Sequence, residues 1–393
     1  MTRQFWIALH RYTGLAMTIF LGIAALTGCL LSFERPLDAW LNPALFTPRR
    51  AGHADPEAAV ASMQHANPGL IATYYPVRAD PRRNMTISVA PRGPASLDFD
   101  EVFLDSGDGH VVGTRQSGAG WDRPHLMRAI YELHCDLLIG GVGRWLMGIT
   151  AVLWLLSNFV GVWLTWPARR PFWKSWKRSW VFRRSSPLPR MLLDIHRASG
   201  LWLLAPLTVL AFTSAAMSFF SEALMPVVER LSPPSPSPFD VPATGRRSVT
   251  PPDMHAVLVA ANERARAHHL LWQPAVFQFD QDRDLAGIRF TATGRENYGG
   301  LGPVTYWFDG ASGRFVHEDN PYRDSAGFAV ARALYPLHTG QMIGAPGVLL
   351  DLVLGLATLE QAGTGIYLWL KRRRMRRPAG SSRPRASPPI RLS

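Results

Sequence analysis

A short histidine motif occurs twice in this chain, and each copy opens a long apolar stretch. The letters LHRYTGL surround His10, and the letters IHRASGL surround His196. A second pair, His134 and His338, recurs in the same way, each following a leucine and preceding a glycine-rich segment and another apolar run. The offsets are 196 − 10 = 186 and 338 − 134 = 204, so the sequence indicates two similar halves with an insertion in the second.

The apolar runs predict a membrane protein. Of the 393 residues, 47% are hydrophobic and only 18% are charged, which is too apolar for a soluble protein with 33 glycines and 32 prolines. The first run alone exceeds the ~20 residues that a helix needs to cross a hydrocarbon core of ~30 Å. We predict transmembrane helices at 5–33, 139–166, 191–222 and 338–370, the last including a short preceding helix.

The positive charges indicate the orientation of these helices. A net charge of +13 is compatible with nucleic-acid binding only if the basic residues share one folded face. Here they fill the linker 167–190 and the tail 371–393, and neither stretch contains an acidic residue. Basic segments next to membrane helices mark the cytoplasmic side. We therefore expect the lipid bilayer, and no nucleic acid, as a partner, with both termini cytoplasmic.

Two regions between the apolar runs have a soluble composition, and we predict a small α+β domain outside the membrane in each. They cover 34–138 and 223–337. The predicted helices and strands, in order, are 55–66, 70–76, 85–89, 101–104 and 110–113 in the first region, and 252–268, 275–280, 287–293, 304–308 and 314–317 in the second. The fold class is thus a four-helix transmembrane bundle of two tandem parallel repeats, with two periplasmic α+β domains. Parallel repeats imply a pseudo-twofold axis along the membrane normal.

That axis determines which histidines meet. His10 and His196 lie at the cytoplasmic ends of their helices, whereas His134 and His338 precede helices that start on the outer side. Symmetry places His10 opposite His196 and His134 opposite His338. Two imidazoles that face each other across a helical bundle suit the axial ligation of haem iron. A zinc or copper site would need further ligands, and no carboxylate or thiolate recurs beside each pair. The alternative is that each histidine is an interfacial residue bonded to backbone or lipid.

Other residues near the histidines have two interpretations. Arg11 and Arg197 would suit haem propionates, but cytoplasmic anchoring explains them equally well. Asp351 and Glu360 are costly in lipid, so we expect them to face the interior of the bundle. Four small-residue positions lie near the histidines: Gly14, Gly200, 140–143 and 344–347. Small residues there would let a flat macrocycle approach the backbone, or would serve close helix packing. We also expect a helix break at 140–143 and at 344–347.

The two cysteines leave one alternative for the N-terminal segment. Leu26-Thr27-Gly28-Cys29 resembles a lipoprotein cleavage box, and cleavage there would remove His10 with the signal peptide. We favour a retained transmembrane helix, because the apolar run continues to Phe33 and its counterpart in the second half contains no cysteine. Two cysteines also cannot form a disulfide framework.

The chain resembles the PepSY-associated transmembrane family of bacterial inner-membrane proteins. The resemblance is carried by the doubled His-Arg-x-[Ser/Thr]-Gly-Leu motif, the outer hairpins and the Leu-His elements, and it extends over about residues 3–374. Within the family, the chain is similar to the members that reduce siderophores. The resemblance implies two b-type haems, with His10 and His196 as the inner ligands and His134 and His338 as the outer ligands.

On that basis we expect an oxidoreductase that passes electrons across the membrane, from an unidentified cytoplasmic donor to a periplasmic ferric siderophore. One alternative is a non-enzymatic PepSY protein that binds or restrains a partner such as a peptidase. Another is a haem subunit that serves a different acceptor. The sequence identifies no catalytic residue beyond the histidines. Aromatic residues of the outer domains either line a docking surface or form domain cores, and these are Tyr74, Tyr75, Trp121, Trp272, Tyr298, Tyr306 and Trp307.

Overall fold

A computed structural model describes residues 2–93, 96–168, 170–243, 247–296 and 299–375. Of the residues and ranges named above, Tyr298, residue 169 of the linker and the tail from 376 onward lie outside the described ranges.

The first half of the chain starts and ends with a long apolar helix. Its elements are α1 (Arg3–Leu31), α2 (Glu34–Leu41), α3 (Pro43–Phe46), α4 (Pro56–Ala66), β1 (Leu70–Pro76), β2 (Met85–Pro91), β3 (Glu101–Leu104), β4 (Val111–Arg115), α5 (Leu126–Asp136) and α6 (Gly141–Thr165). The linker that follows contains α7 (Phe172–Trp176) and a 3-10 turn at Lys177–Ser179.

The second half repeats this order, with one helix divided in two. Its elements are α8 (Leu188–Trp202), α9 (Leu204–Ser218), a π-helical turn (Phe220–Leu224), α10 (Met225–Leu231), α11 (Met254–Ala267), β5 (Gln273–Asp280), β6 (Leu285–Thr291), β7 (Val304–Asp309), β8 (Phe315–Asp319), α12 (Ala326–His338), a 3-10 turn (Gln341–Ile343) and α13 (Ala345–Met375).

Within the described residues, α1, α6 and α13 are each long and apolar enough to cross a membrane. The α8–α9 pair would provide a fourth crossing, but its two helices meet at an angle of 72°. The sequence predicted a transmembrane helix over 191–222, and the structure divides this range between α8 and α9, with the bend at Leu203. Pro206, in the first turn of α9, has no N–H to donate to the carbonyl of Trp202, so the helix cannot run through Leu203 unchanged.

The predicted breaks before α6 and α13 are present. Leu137 and Leu138 adopt left-handed backbone angles, with φ of 59° and 60°, between α5 and α6. In the second half, Gly340 and Gly344 have φ of 70° and 69°. These turns let α5 and α12 leave the direction of the apolar helices that follow them.

The eight strands form one antiparallel sheet in the order β4-β3-β2-β1-β5-β6-β7-β8. The sequence predicted two separate domains, but β1 and β5 pair directly, with Tyr74 opposite Gln278 and Tyr75 opposite Phe277. Helices α4 and α11 contribute to a single hydrophobic core with both sets of strands. Without this pairing, β1 and β5 would each be an exposed edge strand of a four-stranded sheet.

The apolar helices pack beside one another below this sheet. Helix α1 contacts α13, α6 and α5, while α9 contacts α6 and α12, and α8 contacts α13. Small buried side chains, such as Ala25, Ala151 and Ala211, lie at these contacts and allow close approach of the helices. We call the end of the helices that joins the strands the sheet end, and the end that joins residues 167–187 the linker end.

Candidate functional site

The structure brings the four repeated histidines together in the two pairs that the repeat predicts. The ring centroids of His10 and His196 are 6.5 Å apart, with an angle of 76° between the ring planes. Those of His134 and His338 are 6.1 Å apart, at 60°. The first is the linker-end pair, and the second is the sheet-end pair.

The helices set the separation between the two pairs. His10 lies on α1, and Thr27 of the same helix contacts His134, so the pairs are 27 − 10 = 17 residues apart along α1. At ~1.5 Å per residue this is ~25 Å. The second half has the same spacing, because His196 on α8 and Thr213 on α9, which contacts His338, are 213 − 196 = 17 residues apart.

Each histidine is tied through its Nδ1 atom to a hydroxyl group on another helix. In the linker-end pair, Ser157 of α6 lies 2.8 Å from His10, and Thr364 of α13 lies 2.8 Å from His196. In the sheet-end pair, Thr27 lies 2.9 Å from His134, and Thr213 lies 3.1 Å from His338. The hydroxyl groups therefore fix the rotation of every ring.

The hydrogen-bond partners also determine the tautomer of three rings. The carbonyl oxygen of Ala24 lies 3.0 Å from Nδ1 of His134, and a carbonyl only accepts, so this Nδ1 carries the proton. Thr213 and Thr364 donate their single hydroxyl proton within their own helices, to carbonyls at 3.0 and 2.8 Å. They consequently accept from Nδ1–H of His338 and His196. The Nε2 atoms of these rings are left as lone-pair donors, and no hydrogen bond within the described residues reaches them.

Burial favours the neutral imidazole that a metal ligand requires. Helices α5 and α12 are separate from the long apolar helices, but His134 of α5 and His338 of α12 are buried against α1 and α9. Burial lowers the pKa of His134. Burial, and to a lesser extent the charge of His134, lower the pKa of His338 to about 3.

The two pairs fit bis-histidine ligation of a metal centre. A metal–imidazole nitrogen bond is about 2 Å long, so two imidazoles on opposite sides of one metal have ring centroids roughly 6 Å apart. The observed separations of 6.5 and 6.1 Å match this value. Within the described residues no group of three or more His, Cys, Asp or Glu side chains converges on a metal position. A cofactor that supplies the remaining ligands itself, as haem does, therefore suits this donor set better than a bare metal ion.

The glycines next to the rings differ from those that the sequence indicated. A Cβ atom on Gly28 would lie 3.3 Å from Cε1 of His134, and one on Gly161 would lie 3.5 Å from Cε1 of His10. The segments 140–143 and 344–347 instead serve local packing, because a Cβ on Gly143 would collide with the carbonyl of Asp136. Of the two motif glycines, Gly200 faces Gln361, and a Cβ on Gly14 would meet no atom within 4 Å.

The two motif arginines are not equivalent. Arg197 donates to Asp194 at 3.0 Å and to the carbonyl of Arg178 at 2.9 Å. Asp194 is fully buried, and Arg183 and Arg190 also approach its carboxylate, at 3.6 and 3.3 Å. Arg197 is therefore engaged in an ion-pair cluster, whereas Arg11 forms no hydrogen bond or ion pair with the described residues.

The acidic residues of α13 face the helices, as expected. Glu360 accepts a hydrogen bond from Ser199 at 2.7 Å, and its carboxylate lies 3.2 Å from the hydroxyl oxygen of Thr364. Asp351 accepts from Ser32, the residue that caps the C-terminus of α1, at 3.4 Å. Cys29, the cysteine of the lipoprotein-like box, lies within the continuous helix α1, where its sulfur approaches the carbonyl of Leu352.

The aromatic residues proposed above as a docking surface divide into two groups. Tyr75, Tyr306 and Trp307 are buried and belong to the sheet and its core. Trp121 is 71% exposed, Trp272 packs edge-on against Tyr322, and Tyr74 donates to Glu296 at 2.5 Å. Sequence patterns alone could not separate these groups.

Sequence reasoning missed the hydroxyl groups that hold the rings. A signal for one pair was present, because Thr27 and Thr213 differ by 213 − 27 = 186 positions, the offset of His10 and His196. The other two hydroxyl residues, Ser157 and Thr364, differ by 207 positions rather than the 204 of the second histidines, so no simple alignment pairs them.

Comparison with known proteins identifies the family to which this chain belongs. A family model described as the PepSY-associated TM region matches residues 7–372. An uncharacterised protein of Pseudomonas aeruginosa is 27% identical over 268 residues, which are 62% of this chain and 63% of that protein. The chain thus aligns with a little under two thirds of that relative's length.

Proposed function

The chain belongs to the PepSY-associated TM region family, and from this premise we propose that it is a membrane oxidoreductase that carries two b-type haems. In this proposal His10 and His196 hold the inner haem, and His134 and His338 hold the outer one. The single observation that carries the proposal is that both pairs face each other at the spacing of trans imidazole ligands.

The side chains around each pair support this assignment. Hydroxyl groups from neighbouring helices accept from Nδ1–H of His134, His196 and His338 and leave the Nε2 lone pair of these rings for a metal. A histidine that binds a metal through one ring nitrogen usually donates a hydrogen bond through the other. Haem bound at both pairs would supply two reversible one-electron carriers separated along the helices. The protein would contribute neutral ligands of fixed orientation and an apolar surrounding.

The distribution of charge supports the proposed orientation. The linker end carries the basic residues of 170–190 and of 371–375, so we assign it to the cytoplasm. The eight-stranded sheet then lies in the periplasm, and the molecule is a bundle of four crossings built from two tandem parallel repeats. The separation of the pairs, ~25 Å, approaches the thickness of the hydrocarbon core.

The proposed reaction is the reduction of a ferric siderophore at the sheet end by electrons that enter at the linker end. Chelators with hard oxygen donors hold iron(II) far more weakly than iron(III), so one-electron reduction releases the metal. A cavity of about 200 Å³ has Tyr131 in its wall, about one turn before His134 on α5, together with Glu101 and Arg115 of the sheet. The face of the sheet around this cavity is our candidate for the docking surface.

Absorption spectroscopy of the purified protein tests the cofactor. We expect a reducible low-spin spectrum with two haems per chain. Replacing His338 with Ala should remove about half of the haem, and replacing His196 with Ala should remove the other half. His317→Ala, on β8, is the control and should leave the content unchanged. A preparation without haem would refute the proposal and favour a partner-binding protein with structural histidines.

Anaerobic assays with a panel of ferric chelates test the substrate. After reduction of the haems, a ferric siderophore should reoxidise them stoichiometrically, and an Fe(II)-specific dye should report the released iron. Rapid reoxidation by an unrelated acceptor, with no response to any ferric chelate, would indicate an electron-transfer subunit for another reaction.

A further inference from the structure

A second cavity, of about 390 Å³, lies at the linker end, between α8 and the linker. Trp180, Val181 and Phe182 of the linker form one wall, and Ala198, Ser199 and Trp202 of α8 contribute to the other. The indole N–H of Trp202 donates to the carbonyl of Trp180 at 2.9 Å, which fastens the linker over the helix.

The residues of α8 that line this cavity differ from those at the matching positions of α1. The position of Ala198, which is only 4% exposed, corresponds to Tyr12 in the first half, since 198 − 186 = 12, and Tyr12 is 63% exposed. By the same offset, Trp202 corresponds to Ala16. A small residue on the helix and a tryptophan at the rim thus create the space in the second half.

One wall of the cavity connects to the linker-end pair through hydrogen bonds. Ser199 contacts Glu360 at 2.7 Å, Glu360 contacts Thr364 at 3.2 Å, and Thr364 contacts His196 at 2.8 Å. Ser199 also accepts a hydrogen bond from Gln361 at 2.7 Å. The single hydroxyl proton of Ser199 faces Glu360 at 2.7 Å and the carbonyl of Ile195 at 2.8 Å. A serine oxygen has two lone pairs, so Ser199 accepts from Gln361 and can still accept from one further O–H group.

We propose that this cavity binds the ring of a membrane quinol, a benzoquinol or naphthoquinol, which serves as the electron donor of the linker-end pair. The inference rests on the proposed function, because it supplies the donor that function needs. Aromatic and aliphatic walls suit a flat apolar ring that enters from the bilayer. A soluble dinucleotide would instead need donors for its phosphates.

The chemistry balances with the proposed acceptor. Oxidation of one quinol to its quinone breaks two O–H bonds and releases two electrons and two protons. The electrons leave toward His196 and reduce two ferric ions in total. The proton of the hydroxyl that faces Ser199 passes through this residue to Glu360, and the second proton goes to water at the linker end.

Binding of decylubiquinone, a short-chain quinone, to the purified full-length protein in lipid nanodiscs tests the site without reference to haem. We expect saturable binding of one quinone per chain by isothermal titration calorimetry. Ala198→Phe fills the cavity and should weaken binding at least tenfold. The matched control, Ala16→Phe, makes the same change on the corresponding face of α1 and should bind like the wild type.

A second variant keeps the inference testable if Ala198→Phe does not fold. Val181→Trp fills the cavity from the linker, where Val181 is 54% exposed, and should also weaken binding at least tenfold. Ser199→Ala should bind quinone yet slow haem reduction by decylubiquinol about tenfold, with reduction by dithionite unchanged. Non-saturable quinone uptake, or uptake equal in all variants, would overturn the inference and identify the cavity as a lipid groove.

The two proposals fail in different ways. If the protein contains two haems that dithionite reduces, but binds no quinone, the donor inference fails and the haem assignment stands. If no haem is present, the proposed function fails, and with it the role of a bound quinone as electron donor.

Discussion

Oγ1 of Thr364 lies 2.8 Å from Nδ1 of His196, and this contact joins α13 to α8. Because the same hydroxyl also donates to the carbonyl of Glu360 at 2.8 Å, it accepts the Nδ1 proton and leaves the lone pair on Nε2. The relationship ties the orientation of one proposed ligand to a helix that begins at the opposite end of the molecule.

Thr364→Val is isosteric and removes the hydroxyl that accepts from His196, together with its hydrogen bond to the carbonyl of Glu360. We expect haem affinity at the linker-end pair to fall about 10–100-fold, because a ring without its outer hydrogen bond loses both orientation and basicity. Haem transfer to an excess of apomyoglobin, followed by absorption, measures the loss. Thr18→Val on α1 is the matched control, since the hydroxyl of Thr18 donates to the carbonyl of Gly14. Equal haem retention in both variants would contradict the role of Thr364.

The repeat in the sequence was sufficient to predict which histidines meet, because a parallel duplication relates equivalent helices by one axis. It could not predict the groups that orient them. His134 and His338 each lie seven residues before the start of the following helix, since 141 − 134 = 7 and 345 − 338 = 7. Ser157 and Thr364 lie 157 − 141 = 16 and 364 − 345 = 19 residues after the starts of α6 and α13, so the shift of three residues lies within the helices. Apolar periodicity does not report which turn of a helix places a hydroxyl beside a ring on another helix.

The fold shows the same division between predictable and unpredictable features. The individual strands and the long helices follow from hydropathy and alternation, and their bounds agree with expectation to within a few residues. The union of both outer regions in one sheet depends on the pairing of β1 with β5, between residues about 200 positions apart, and no local pattern encodes it. Pro206 causes the break at Leu203 and is present in the sequence, but it lies in a continuous apolar run that by itself predicts a helix.

The seam between the halves should make the sheet unfold as one unit. Phe277 is 1% exposed and stacks on Tyr75 across the seam, with centroids 4.8 Å apart. Phe277→Ala should cost about 3–5 kcal/mol of unfolding free energy. Hydrogen exchange should show the loss of protection in β1–β4 as well as in β5–β8. Leu271→Ala, at a position 94% exposed, is the control. Loss of protection confined to β5–β8 would show that the halves are independent.

The turn between β7 and β8 should respond to acid. Hydrogen bonds from the side chain and backbone of Ser312, at 2.6 and 2.8 Å, lower the pKa of Asp309. A carboxyl whose pKa is lower in the folded state stabilises the fold above its unfolded pKa of about 3.9, and that contribution disappears as the pH falls through the folded value.

Asp309→Asn should therefore be less stable than the wild type at pH 7, by roughly 0.5–1 kcal/mol because the turn is exposed. The difference should start to shrink as the pH falls below about 3.9 and should continue to shrink as the carboxyl of Asp309 becomes protonated. Thermal unfolding midpoints in detergent at pH 7, 5 and 3 measure it. Asp282→Asn, which disrupts an exposed pair with Arg247, is the control and should change the midpoint little. A stability difference that stays constant with pH would exclude the carboxylate of Asp309 as its source.

The last prediction compares two glycines that lie against the rings. A Cβ atom on Gly28 would come 3.3 Å from Cε1 of His134, closer than ordinary packing, whereas one on Gly365 would lie 4.0 Å from Cε1 of His196. Both substitutions to alanine raise helix propensity by about 1 kcal/mol, so their intrinsic effects on the helices cancel in the comparison. Gly28→Ala should push His134 from its bonds with Thr27 and Ala24 and weaken haem binding at the sheet-end pair about tenfold. Gly365→Ala should leave haem binding at the linker-end pair unchanged. Haem transfer to apomyoglobin measures both variants, and equal retention would show that the sheet-end ring has room to move and that Gly28 serves helix packing alone.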